Sequence, residues 1–184
     1  MPSTLRKSSI TPRQREGRAI NTVADLLRRT LRVPNIYLEP PSSVIAADVL
    51  AVDSGGAGDL HAVEVTMLEP WIAPKKWRRG SSDPDVSLLK TIHRQLMRMA
   101  AHYRYLAVSA EKVEFVREGL DDLGLFSEDG IGRIGLIGIK IPEPQSPTAE
   151  IAIAPERFRV DPTKLRTIET RILEKSRPDI EVRI

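Results

Sequence analysis

Two apolar stretches, each interrupted by one acid and separated by a glycine-rich turn, constrain this chain more than any other feature. Val44 to Val52 is apolar except for Asp48, and Leu60 to Met67 carries Glu64 among Ala62, Val63 and Val65. Between them, Ser54-Gly55-Gly56-Ala57-Gly58-Asp59 reads as a reversal, because glycine tolerates the positive φ that a tight turn needs. The pattern predicts an antiparallel hairpin of two buried strands. A charge inside such a strand is costly unless something pairs with it. Side chains alternate faces with period two. Ala62, Glu64 and Thr66 therefore share one face of their strand, and Ala46, Asp48 and Leu50 share one face of the other. With suitable register the two carboxylates converge.

The surrounding pattern is α/β. Ile20, Val23, Leu26, Leu27 and Leu31 recur at helical spacing over residues 16–31, and Ile36-Tyr37-Leu38 is a short first strand. After the hairpin comes a basic loop over residues 69–87 around Trp71 and Trp77. Asp85 then caps a long helix with Leu88, Leu89, Ile92, Leu96, Met99 and Tyr103 on one face. Residues 105–109 read as a strand, 111–122 as a short helix, 130–140 and 149–154 as strands, and Asp161-Pro162 opens a C-terminal helix. The expectation is one domain over residues 16–184 with a central mixed sheet and helices on both faces. Residues 1–15 read as a basic mobile arm.

Charge is unevenly distributed. Residues 1–18 hold five basic side chains against Glu16, and residues 71–104 hold eight against Asp83 and Asp85. Those stretches together are about +10 in a chain whose total is +3, so the remainder is about −7. Such segregation points to a polyanion, most often nucleic acid. Lys75, Lys76, Arg78 and Arg79 of the loop, and Lys90, Arg94 and Arg98 at i, i+4 and i+8 of the helix, are the candidate phosphate contacts. The plain alternative for the stripe is a wet helix face. The absence of cysteine excludes disulfides, thiolate zinc sites and a cysteine nucleophile. No apolar run approaches the roughly 20 residues of a membrane span, and no export signal is visible, so the cytoplasm is the expected compartment.

Two carboxylates joined by water and phosphate oxygens suit Mg2+ or Mn2+. Such an ion polarises a phosphodiester and supplies a hydroxide-like nucleophile. Asp48 and Glu64 are the candidate ligands, with Glu39 a further acid at the end of the first strand. Their alternative readings are a paired strand-end acid for Asp48 and a solvent-facing position for Glu64. The histidines show no ligand spacing, and a phosphate loop is excluded because a strand, not a helix, follows the glycines.

With Ala47-Asp48 on one strand, Glu64-Val65-Thr66 on the next and a long helix running into Tyr105-Leu106-Ala107-Val108, the chain resembles the restriction-endonuclease-like nucleases and their PD-(D/E)xK pattern. The resemblance spans roughly residues 18–140. It implies a metal-dependent nuclease acting on DNA, with Asp48 and Glu64 on the metal and Thr66 in the place of the motif lysine. Thr66 carries no charge, so the resemblance implies a substitute cation from Lys90, Arg94, Lys75 or Lys76. A catalytically inactive nucleic-acid-binding module on the same fold, and a structural or partner-binding protein, are the competing expectations. Many nucleases of that class cut duplexes as dimers, so a homodimer stays open, although no dimer seam is visible.

Overall fold

The computed structural model describes residues 11–33, 35–40, 42, 45–53, 58–67, 84–128, 132–142 and 145–175. The chain opens with helix α1 (Pro12–Thr30). Thr11 accepts from the Gln14 N–H, and the Gln14 side chain accepts from the Thr11 N–H, a reciprocal cap worth about 1 kcal/mol. With Pro12 at the first helical position, this cap starts the helix four residues before the expected start at residue 16. Residues 11–15 are therefore structured, contrary to the expected arm; residues 1–10 lie outside the described residues.

Three strands follow: β1 (Asn35–Leu38), β2 (Val49–Val52) and β3 (Leu60–Thr66). Then come α2 (Pro84–Arg98), β4 (Tyr103–Ser109), a 3-10 turn at Ala110–Lys112 and α3 (Val113–Asp122). Strands β5 (Ser127–Glu128) and β6 (Gly132–Arg133) form a small antiparallel ribbon. The chain continues through β7 (Gly135–Lys140), β8 (Thr148–Ile153) and α4 (Pro162–Lys175).

The sheet order is β1-β2-β3-β4-β7-β8. β3, β4 and β7 are parallel; β1, β2 and β8 join antiparallel at the flanks. The α/β mixed sheet is as expected, and so is the antiparallel β2–β3 hairpin, with Val49 opposite Val63 and Leu50 opposite Ala62. Gly58 takes the positive φ anticipated for the turn. The core has two halves. Leu50, Ala62, Leu106 and Leu136 meet Leu89, Leu96, Val116, Leu120, Ile168 and Ile172 from α2, α3 and α4. Val49, Val63, Val65, Tyr105, Ala107 and Ile137 meet Ala19, Ile20, Val23 and Leu27 of α1. Both parallel crossovers, through α2 and through α3, cover the same face, as right-handed connections advancing in one direction require.

Three boundaries depart from the expectation. Helix α2 stops at Arg98, and Tyr103 lies in β4 beside His61, not on a helix face. Leu88, expected inside, is 37% exposed. Strand β2 starts at Val49, not Val44, for a reason that lies in Asp48.

Candidate functional site

Carried one residue beyond β2, a regular β2–β3 register would set Asp48 opposite Glu64. The strand is irregular there. Asp48 donates its N–H to the Val63 carbonyl at 3.0 Å, although the residue facing Val63 is Val49. Ile45 and Ala47 lie in the same core half as Leu50, so the two-residue alternation slips between Ala47 and Leu50. Two residues thus answer to one on the partner, as at a bulge, which re-aims a side chain and ends regular pairing. The continuous alternation expected over residues 44–52 is broken for that reason.

The re-aimed carboxylate finds a backbone donor. Asp48 Oδ2 accepts from the Val65 N–H at 2.6 Å, so the side chain continues the ladder that the backbone leaves. The Asp48 carbonyl accepts from the Glu39 N–H at 2.7 Å. Glu39, just ahead of Pro40, has φ of 44°, a left-handed conformation uncommon for a non-glycine residue. Glu64 stands on β3, and its Oε2 accepts from Gln95 Nε2 of α2 at 2.8 Å.

The electrostatics of the pair are unfavourable in the free protein. Burial, then the Asp48 charge, push the Glu64 carboxyl up to about 7, with a smaller push from Glu16 and partial relief from Gln95. Asp48 is also raised, by burial first, with the Val65 N–H opposing and Glu16 and Glu39 adding repulsion. Glu16, an exposed residue of α1, therefore acts on the same site from the other side of the sheet. Sequence reading counted it only as the lone acid of a basic segment. Its place among five basic residues was the sole local signal, and its distance along the chain hid the contact.

The other candidates divide clearly. Thr66 is half-buried at the end of β3, and among the described residues no hydrogen bond joins it to either carboxylate. Lys90 is half-buried on α2 and makes no ion pair with a described acid. Arg94 and Arg98 are exposed. Lys75, Lys76, Arg78, Arg79, Trp71 and Trp77 lie outside the described residues. Arg104, part of the counted positive charge, is withdrawn into the core: it is 5% exposed, donates to the Ala101 and Met97 carbonyls and lies 4.0 Å over the Phe158 ring.

Two cavities open near the ends of the sheet, neither lined by Asp48 or Glu64 themselves. One, of about 570 Å³, lies between α2 and α4 and includes Gln95 and Ala46 in its lining. The other, of about 510 Å³, lies at the carboxyl ends of the parallel strands, with Met67, Ser109, Lys140 and Arg15 in its wall. The carboxyl ends of parallel strands are where open α/β sheets commonly bind ligands.

The donor chemistry fits a hard divalent cation. Two half-buried carboxylates with unrelieved like charge are ligands that an ion would neutralise, and Mg2+ and Mn2+ accept one or two protein carboxylates with the rest of the shell from water. Among the described residues, no group of three or more histidines or acids is placed to hold an ion, so Glu16 and Glu39 contribute field and not further ligation. No helix among the described residues is long and apolar enough to cross a membrane. No family model matches this chain, and no curated protein matches it either.

Proposed function

We propose that this chain is a divalent-cation-dependent phosphodiesterase of the restriction-endonuclease-like class, acting on DNA, with Asp48 and Glu64 as the ligands of Mg2+ or Mn2+. One observation carries the reading: a carboxylate pair whose mutual repulsion and burial lift Glu64 to about 7, beside a cavity walled by arginine and lysine. The order of elements supports it, with a helix, three antiparallel strands, a crossover helix and a parallel strand enclosing the pair.

When bound, the cation supplies an activated water and neutralises charge on the phosphodiester. The chain's own residues prepare for it. The Val65 N–H holds Asp48 in one orientation, and the Gln95 amide holds Glu64. Thr66, with a hydroxyl in place of the motif lysine, holds a water. Lys90 or Arg94 of α2, or Lys75 and Lys76 of the loop, steadies the phosphate. An arginine in this role binds phosphate without serving as a base, because its pKa stays above about 12. Because metal ligands must be deprotonated, binding displaces the Glu64 proton and strengthens as pH rises through about 7. Duplex cleavage would call for a homodimer.

The test is cleavage of plasmid and oligonucleotide DNA with Mn2+ by wild type and Glu64→Ala. Activity confined to the wild type supports the reading; equal activity removes Glu64 from the mechanism. A second reading, a nucleic-acid-binding module without catalysis, is favoured by Thr66 alone. It predicts salt-sensitive DNA binding with no cleavage under any divalent ion.

A further inference from the structure

We infer that the cleft between α2 and α4 is a binding site for single-stranded DNA, holding the phosphates of an unpaired segment next to Glu64. This rests on the reading of the chain as a DNA-processing protein and narrows its substrate from DNA in general to an unpaired strand.

The cleft is built by two helix faces. Thr91, Arg94, Gln95 and Arg98 fall at i, i+3, i+4 and i+7 of α2, and Lys164, Thr167 and Ile168 at i, i+3 and i+4 of α4, so each set lies on one side of its helix. Three cations, Arg94, Arg98 and Lys164, stand on the two walls, and no acid among the described residues lines the cleft. None of the three makes an ion pair with a described acid. The hydroxyls of Thr91 and Thr167 donate to the Ser87 and Thr163 carbonyls of their own helices, and Ile45, Met99 and Ile168 form an apolar floor. Cations above an apolar floor match an amphipathic anion, with phosphates outward and sugar or base face inward. Arginine serves both ends of such a ligand, because its guanidinium binds phosphate and stacks on a base.

Size selects the single strand. About 570 Å³ lies within the range of small-ligand pockets and suits one or two nucleotides. A duplex is a rigid rod with its bases stacked inside, whereas an unpaired strand can splay a nucleotide between two helices. The cleft also communicates with the carboxylates. Gln95 lines it while donating to Glu64 Oε2 at 2.8 Å, and the same amide lies 3.5 Å from the Ala46 carbonyl. An occupant therefore sits one side chain from the proposed metal ligand.

The test is fluorescence anisotropy in EDTA, so that no cleavage occurs, with a labelled oligo-dT of about twelve nucleotides and a duplex of equal length. The single strand should bind at least about tenfold more tightly than the duplex. Arg98→Ala and Lys164→Ala should each weaken single-strand binding by roughly fivefold and make the log–log salt slope shallower by about 0.7. Arg98→Lys, which keeps the charge, should recover most of the affinity and so excludes misfolding as the cause. Equal affinity for the two DNA forms, or full single-strand affinity in both alanine variants, overturns the inference. Its failure is separable from that of the nuclease reading. A wild type that cuts DNA while ignoring these substitutions sinks the cleft alone. Cleft-dependent binding by a protein that never cuts sinks catalysis alone.

Discussion

The two ends of the parallel strands treat their acids in opposite ways. At the amino end, Asp59 accepts from Arg157 at 2.8 Å, and that partner holds its carboxyl below the ordinary carboxylate range. Its neighbours are equally settled. His61 stacks on Tyr103 at 4.6 Å, and burial keeps it low and neutral. His102 Nδ1 lies 3.4 Å from Asp59, a distance that suggests an ion pair, but the same nitrogen accepts the Leu60 N–H at 3.0 Å. A nitrogen that accepts carries no proton, so His102 is neutral there, in keeping with the downward push of its burial. At the carboxyl end, Asp48, Glu64 and Glu16 repel one another, and among the described residues a backbone N–H and an amide oppose it. A site tuned for stability resembles the first end. The second is the end where the proposed cation would relieve that repulsion.

Substitutions can break this comparison. The largest expected effect is on activity: Glu64→Gln should lower Mn2+-dependent cleavage by at least about a hundredfold, whereas Asp59→Asn should leave kcat within about twofold. Loss of cleavage in both, measured on one plasmid substrate, would erase the distinction between the ends.

Next comes stability. A carboxyl whose folded pKa lies above its unfolded value binds more protons when folded, so its contribution falls as pH rises from about 4.5 to about 7. Glu64→Gln should therefore stabilise the protein at pH 8 by about 1–2 kcal/mol, after allowing for solvent screening of a half-exposed group, and should do little at pH 4. The histidines act in the other direction in part of this window, because a depressed histidine costs stability as pH falls below about 6.5. The difference between variant and wild-type urea curves cancels them. Asp59→Asn should destabilise at pH 7 by about 1 kcal/mol, since its arginine is exposed. A Glu64→Gln that destabilises at pH 8 would mean that the carboxylate is already neutralised.

The smallest effect should come from Gln95→Leu. Without the amide, the charged form of Glu64 loses a hydrogen bond that favours it, so the pH midpoint of Mn2+ affinity should move upward by a few tenths. An unmoved midpoint in isothermal titration would show that the amide does not orient the ligand.

How much of this was readable in advance depends on the reach of each contact. The hairpin was legible because apolar runs and a glycine turn are local, and α1 was legible in its stripe. Its true start was also written in Thr11-Pro12-Arg13-Gln14, a capping pattern that the basic composition obscured. The shortened β2 was not legible, because the slip at Asp48 follows from a hydrogen bond to Val65, 17 residues away. Arg104 looked like surface charge beside Tyr103, but the carbonyls of Ala101 and Met97 and the Phe158 ring beneath it make its burial tolerable. Strand phase drew attention to Asp48 and Glu64, but the slip at Asp48 breaks that phase, and the influence of Asp48 on Glu64 comes from the irregular strand end. The contribution of Glu16 and of the α4 residues Lys164 and Thr167 required the tertiary arrangement.

The most direct measurement is the carboxyl pKa of Glu64 by carbon-detected NMR titration, in wild type and Asp48→Asn, without metal and with Mg2+. The account predicts a value about 7 in the metal-free wild type, a clear fall when the Asp48 charge is removed, and a further fall when Mg2+ is added. An ordinary glutamate value in the metal-free wild type, or one that neither Asp48→Asn nor Mg2+ moves, would contradict it.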